Sequence, residues 1–226
     1  MNEDINSPLT TRKRYSLGLP AYNDKYNIII MGDEKVGKTT LLKNLMELKF
    51  KPYFRIIGND AINKDIKNVS LEYTPNENEI YLIKIWNYCH ISDKQLINDF
   101  MSKADAFVII YSVTDKKSFD NIDKWVNEAE NNTTCKNVSF YIVGNKFDLE
   151  NKIQVGEGEI LKLEKKTKYK FFRMTSLSSE ELDKTFNIIF SDVVNVNYSE
   201  MESEESDSEE GNKKSKKCCK CKCNIF

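Results

Sequence analysis

The chain is short of several things, and each shortage narrows the reading. Charge of one sign is missing: 34 Lys+Arg stand against 35 Asp+Glu, a net of −1. No basic surface is therefore offered for bulk binding to nucleic acid, and no nucleic acid partner is expected. Long hydrophobic runs are missing too. Phe107–Tyr111 is uninterrupted, far below the ~18–20 apolar residues of a membrane span. The first thirty residues hold no apolar core between a basic start and a small-residue cleavage site, so no secretory signal is visible. Asn2 follows Met1 where N-myristoylation needs Gly. Cysteines spread across a fold are also lacking. Of six, Cys89 and Cys135 are isolated, and Cys218, Cys219, Cys221 and Cys223 crowd the end, which argues against a secreted disulfide scaffold. The chain is expected to be made and to stay on the cytosolic side. With 226 residues, 40% apolar and only 4 Pro, one globular domain with tails is expected.

Residues 1–25 are polar, with Ser7-Pro8, Arg12-Lys13-Arg14 and Pro20, and read as a flexible extension. Residues 198–226 hold an acidic-serine run, Ser199–Glu210, and then a lysine-cysteine segment, and read as a disordered tail. The folded domain is expected over 26–197. In it, strand-like Tyr26–Met31, Phe107–Val113, Phe140–Val143 and Phe171–Met174 alternate with helical Thr39–Lys49, Ser118–Glu130 and Ser178–Val196. Two extended stretches, near Asp60–Tyr73 and Glu79–Trp86, flank Thr74-Pro75-Asn76, which reads as a hairpin turn. On the Ser118–Glu130 helix, Phe119, Ile122, Trp125, Val126 and Ala129 form one apolar stripe. Such alternation implies a mainly parallel sheet with helices on both faces, and function at the carboxyl ends of the strands.

The first of those ends carries Gly32-Asp33-Glu34-Lys35-Val36-Gly37-Lys38-Thr39, followed by Thr40 and a helix. This is Gly-x-x-x-x-Gly-Lys-Thr in strand–loop–helix context, a phosphate-binding loop. Its backbone N–H groups and the helix N-terminus suit phosphate oxygens. Gly37 permits close approach, Lys38 is expected to reach the outer phosphates, and the Thr39 hydroxyl to hold Mg²⁺.

The strand Phe140–Val143 leads into Gly144-Asn145-Lys146-Phe147-Asp148. Here the sequence resembles the small GTPases of the Ras superfamily, whose guanine signature is Asn-Lys-x-Asp. The resemblance implies that Asp148 accepts from guanine N1 and the exocyclic amine, that Asn145 reads the O6/N7 edge and supports the phosphate loop, and that Lys146 packs on the base. Reading a polar edge this way rejects adenine, because the wrong base strands buried polar groups. Met174-Thr175-Ser176-Leu177-Ser178 resembles a weakened Glu-Thr-Ser-Ala-Lys element, placing Ser176 and Leu177 at the base, and Phe50 falls where the family carries an aromatic beside it. Ile85-Trp86 and Tyr111–Phe119 resemble the Rab branch. The implied fold is an α/β P-loop three-layer sandwich, with a six-stranded, mostly parallel sheet and helices on both faces. The implied ligands are GTP or GDP with Mg²⁺. The implied partners are effector and exchange proteins, with the chain itself expected to be a monomer.

Departures fall on the family's two switches. The Thr that binds Mg²⁺ and senses the γ-phosphate is Ile56 or Ile57 here, depending on alignment. After Trp86, the expected Asp-Thr-Ala-Gly-Gln is Asn87-Tyr88-Cys89-His90-Ile91, so Ile91 replaces the Gln that orients water and no catalytic residue is assigned. Glu34 and Lys35 stand where relatives mostly carry small residues. The nucleotide is therefore expected to be bound more securely than it is hydrolysed or sensed.

The tail ends Cys223-Asn224-Ile225-Phe226, an imperfect Cys-a-a-X box that points to geranylgeranyl on Cys223. One lipid anchors weakly. Cys218, Cys219 and Cys221 are palmitoylation candidates, and six tail lysines add attraction to an anionic cytosolic leaflet.

Overall fold

A computed structural model describes residues 22–48, 53–62, 65–76, 78–88, 94–135 and 138–206. One seven-stranded sheet organises it: β1 (Asp24–Met31), β2 (Phe54–Ile62), β3 (Asp65–Asn76), β4 (Glu79–Asn87), β5 (Ala106–Ser112), β6 (Ser139–Asn145) and β7 (Lys170–Arg173). The spatial order is β2-β3-β4-β1-β5-β6-β7. From β4 to β7 every pairing is parallel; β2 and β3 join antiparallel at one edge.

Side-chain alternation builds the two core layers. Ile28 and Ile30 of β1 point to one face, Ile29 and Met31 to the other, and all four are fully buried. On the first face lie α1 (Lys38–Glu47) and α6 (Ser179–Ser206), which contribute Leu41, Leu42, Leu45, Leu182, Phe186 and Phe190. On the second lie α2 (Lys94–Met101), α4 (Ile122–Asn132) and α5 (Glu157–Lys166), supplying Phe100, Met101, Ile122, Val126, Ala129 and Ile160. Each fully buried Leu, Ile or Phe is worth roughly 1.5–3 kcal/mol, so the double layer holds the strand ends rigidly in place. β5 is buried at all seven positions, as expected of a strand covered on both faces.

The α/β sandwich is as expected, with four corrections. The sheet has seven strands rather than six. The additional one, β2, occupies the residues in which the first switch was expected. Its partner β3 begins only at Asp65, so Asp60–Tyr73 is not one extended stretch. Thr74-Pro75-Asn76 is not the hairpin turn: it ends β3, Pro75 falls in a register shift between Tyr73 and Asn76, and the chain reverses after Asn76, whose Oδ1 accepts from Asn78 N at 3.0 Å. Finally, the single helix expected over Ser118–Glu130 is two, α3 (Lys116–Asp120) and α4, divided at Asn121. Helices α2 and α5 lie outside the segments expected from the sequence, and α6 continues past Val196 to Ser206.

Candidate functional site: a phosphate loop tied to two base loops

The phosphate loop leaves β1 at Gly32, where φ is +137° and a Cβ would lie 2.1 Å from the Ile110 carbonyl oxygen. Only glycine fits there. The loop re-enters helix at Gly37 (φ +107°), where a Cβ would fall 2.3 Å from Asn145 Nδ2. Between them Lys35 takes φ +62°, a left-handed conformation that costs a non-glycine residue roughly 1–2 kcal/mol. Lys38 opens α1 and is buried. Its Nζ donates to Gly32 O at 2.8 Å and to Asp33 O, so the ammonium is clasped by the loop that the motif assigns to phosphate. The α1 N-terminus adds its partial positive charge at the same point.

Asn145, at the end of β6, is fully buried and joins three loops. Its Nδ2 donates to Val36 O at 2.9 Å and to Ser176 Oγ at 3.4 Å. Its Oδ1 accepts from Ser176 N and from Lys146 N, both at 2.8 Å. That uses both amide hydrogens and both lone pairs, so direct contact with a base edge would require exchanging one of these bonds. Lys146 (φ +69°) crosses back to donate from Nζ to Lys35 O at 2.6 Å. Asn44 of α1 secures the third loop by donating to Ser176 O at 2.6 Å. Around this hub Asp148 is exposed, Leu177 is 66% exposed, and Ser176 is buried.

The switch residues are placed differently. Ile56 is half-buried against the α1/α6 core layer, and Ile57 sits exposed in a bulge between Ile56 and Gly58. Strands β3 and β4 separate β2 from β1; at ~4.8 Å per strand, this puts Ile56 and Ile57 about 14 Å from β1 across the sheet. Three contacts anchor β2. Arg55 pairs with the buried Glu72 of β3 at 2.6 Å, which also accepts from Tyr22 OH at 3.2 Å. Tyr53 OH donates to Asp183 of α6. Phe54 and Tyr73 both meet Phe190 of α6 edge-on, at 5.8 and 5.7 Å. Burial and Asp183 push the Tyr53 phenol up, keeping it a donor.

Asn87 ends β4 in register with Ile30, at the edge of the sheet from which the phosphate loop springs. It is fully buried; Nδ2 donates to Ile66 O at 3.2 Å, while Oδ1 has no partner among the described residues. A buried orphan acceptor fits the hydrogen of a metal-bound water. With Thr39 it makes a neutral donor set for Mg²⁺, so most of the cation's ligands would be phosphate oxygens and water. Phe50, Cys89, His90, Ile91 and the tail cysteines, Cys223 included, lie outside the described residues.

Two residues at the site were not singled out from the sequence. Asn121 and Trp125 hold the Asp33 carboxylate, at 2.6 and 2.7 Å. Trp125 was expected only as part of an apolar stripe. An Asn in mid-helix, which favours breaks and local hydrogen bonds, was the available cue for Asn121.

A glycine-framed phosphate loop clasped to Asn-Lys-x-Asp defines a class, and comparison with known proteins agrees. The chain belongs to the Ras family, whose model matches residues 27–195. It is 29% identical to the Ras-related protein RabT1 of Dictyostelium discoideum over 180 residues, 78% of each chain. It is 27% identical to the Ras-related protein Rab-13 of Canis lupus familiaris over 176 residues, 77% of this chain and 82% of that one. To the Ras-related protein RabT2 of Dictyostelium discoideum it is 26% identical over 219 residues, 93% and 97% of the two. It is a Rab-like small GTPase, a family that implies binding of guanine nucleotide, usually with Mg²⁺. Among the described residues, no helix is long and apolar enough to cross a membrane.

Proposed function

We propose that the chain binds GDP or GTP tightly, hydrolyses GTP very slowly, and acts from a membrane surface in vesicle trafficking by recruiting partner proteins. The observation that carries the nucleotide reading is the Asn145 hub, which holds phosphate and base loops in one hydrogen-bonded unit. In this reading the backbone of Gly32–Lys38 and Thr39–Thr40 cradles the phosphates. Lys38 exchanges the Gly32 and Asp33 carbonyls for phosphate oxygens, and the Thr39 hydroxyl and Asn87 Oδ1 serve Mg²⁺ and its water. Asp148 selects guanine, Lys146 covers the base, and Ser176, Leu177 and Phe50 complete its surroundings.

Slow hydrolysis follows from chemistry that is missing. Phosphoryl transfer depends on placing water and neutralising charge that spreads over the γ-phosphate. Ile91 has no group to orient water, and Ile56 and Ile57 have no hydroxyl to complete a metal shell. An arginine finger, worth ~10³–10⁵ in rate, would enter beside Glu34. The tail supplies the membrane address, through prenylation at Cys223 supported by Cys218, Cys219, Cys221 and the lysines. A second reading, an adaptor that recruits partners without sensing nucleotide, is favoured by the anchoring of β2 to α6.

The test is direct. Protein purified without added nucleotide, then denatured, should release about one guanine nucleotide per chain, and GTP should displace a fluorescent GDP where ATP does not. Equal competition by ATP would overturn the guanine assignment, and a single-turnover GTPase rate typical of Rab proteins would overturn the slow-hydrolysis claim.

A further inference from the structure

Asp33 belongs to the phosphate loop by backbone, yet its carboxylate is engaged by the second helical layer. Oδ2 accepts from Asn121 Nδ2 at 2.6 Å and Oδ1 from Trp125 Nε1 at 2.7 Å. Both donors are neutral and each carboxylate oxygen has one; hydrogen bonds of this kind to a carboxylate are strong. Asn121 is the residue at which the helix breaks: it caps α3, its N–H bonding to Lys117 O, and leads into α4. Trp125 follows one turn later, where Tyr88 meets its ring edge-on at 6.0 Å and 79°. Tyr88 OH in turn donates to Glu128 Oε1, on the same helix, at 3.1 Å. Tyr88 immediately follows Asn87 and so heads the second switch.

We propose that Asn121 and Trp125 are positioning residues: through the Asp33 carboxylate they hold the phosphate loop in shape, and through Tyr88 Trp125 ties that loop to the head of the second switch. The mechanical link is short. The Asp33 carbonyl is one of the two that hold Lys38. Withdrawal of Lys38 onto a phosphate alters the strain on Asp33, and its side chain transmits the change to the indole and from there to the Tyr88 ring. The consequence for nucleotide retention rests on the nucleotide-binding reading above; the brace itself does not.

The experiment uses the full chain and Trp125→Phe, which keeps a ring against Tyr88 and removes the N–H. Loaded with fluorescent GDP, W125F should release it about tenfold faster than wild type, as expected for loss of a hydrogen bond to a charged group. Ile122→Val, which trims the same helix without touching Asp33, should stay within about twofold. Equal acceleration by both variants would mean that generic helix packing is responsible, and would overturn the proposal. If Trp125 works through Asp33, adding W125F to Asp33→Ala should accelerate release no further; multiplied rates would overturn it as well. Amide exchange in nucleotide-free protein separates this from the functional reading: W125F should raise exchange at residues 32–36 and at Tyr88. Unchanged exchange there defeats the brace even if nucleotide binds, whereas a wild type that binds no guanine nucleotide defeats the functional reading and leaves this arm to decide the brace.

Discussion

The two halves of the site are held by different forces. The gripping half, from Gly32 to Thr40 with Asn145–Asp148 and Ser176, is an interlock of geometrically specific hydrogen bonds, buried around Lys38 and Asn145 and exposed at Lys146. The half expected to sense phosphate has no hydroxyl at Ile56 or Ile57 and no carboxylate at Asn87, and its first segment is an edge strand kept by apolar packing, one ion pair and β pairing to β3. The difference lies in what a substitution would cost each half. Removing any member of a closed polar network leaves the rest buried and unsatisfied, at a cost of about 1–3 kcal/mol per group. Ile56 and Ile57 stand in no such closed network, and as β-branched residues they settle into a strand.

Several changes would sharpen or break this contrast. The largest effect belongs to the gripping half: Lys38→Ala should weaken GDP binding by at least about a hundredfold, and Asp148→Ala should erase the preference for GTP over ATP. Calorimetric titration reads both, and retained affinity in Lys38→Ala would remove the phosphate role. Next comes the anchor of β2. Glu72→Gln strips the charge that Arg55 faces. Arg55 is well exposed, which discounts the ion pair, so a loss of about 1–2 kcal/mol is expected. It should appear as faster amide exchange over 54–59 with little change in GDP affinity; an equal loss at both would show that the halves are coupled.

A smaller effect separates fold from site. Burial pushes the Asp105 carboxyl, at the other end of β5, up to about 6 from 3.8, partly offset by the N–H of Asn27. A raised pKa means that the folded chain holds this proton more tightly than the unfolded one. Stability is therefore lost as pH climbs from about 4 to about 6, and the cost stands in full above that. Asp105→Asn should raise stability by about 1 kcal/mol at pH 7.5, with the gain gone below pH 4 and GDP release unaltered. Thermal unfolding across pH tests it. The smallest effect is none: Ile57→Thr should leave GTP hydrolysis within about threefold of wild type, because the residue lies in β2, about 14 Å from β1. A large gain, or strong protection of residues 53–60 by GTP over GDP, would show that the segment leaves the sheet to meet phosphate.

Much of this was legible in advance because it is local. Gly32 and Gly37 must be glycine where a Cβ would strike the Ile110 carbonyl and Asn145, and that requirement is written as spacing. The buried strands declared themselves as short apolar runs, and the helix after β5 as an apolar stripe. Asn87 could be read from its residue type as an uncharged group able to bond a metal-bound water; the fold adds that its Oδ1 is buried without a partner among the described residues. β2 covers the segment that the family pattern assigns to the first switch, and its residues are Ile-rich. Whether such residues pair depends on β3 arriving alongside, which is a matter of sheet order.

The sequence by itself determined the class of fold and carried the Gly-x-x-x-x-Gly-Lys-Thr and Asn-Lys-x-Asp spacings that mark the family, since each lies in residues close along the chain. Only the tertiary structure decided that the first switch is a seventh strand anchored to α6. It alone also decided that Asn121 and Trp125 hold Asp33 from 88 and 92 residues away. Those outcomes turn on which surfaces meet once the sheet is ordered, and hydrogen bonds between distant segments leave no period or spacing in a sequence to be read.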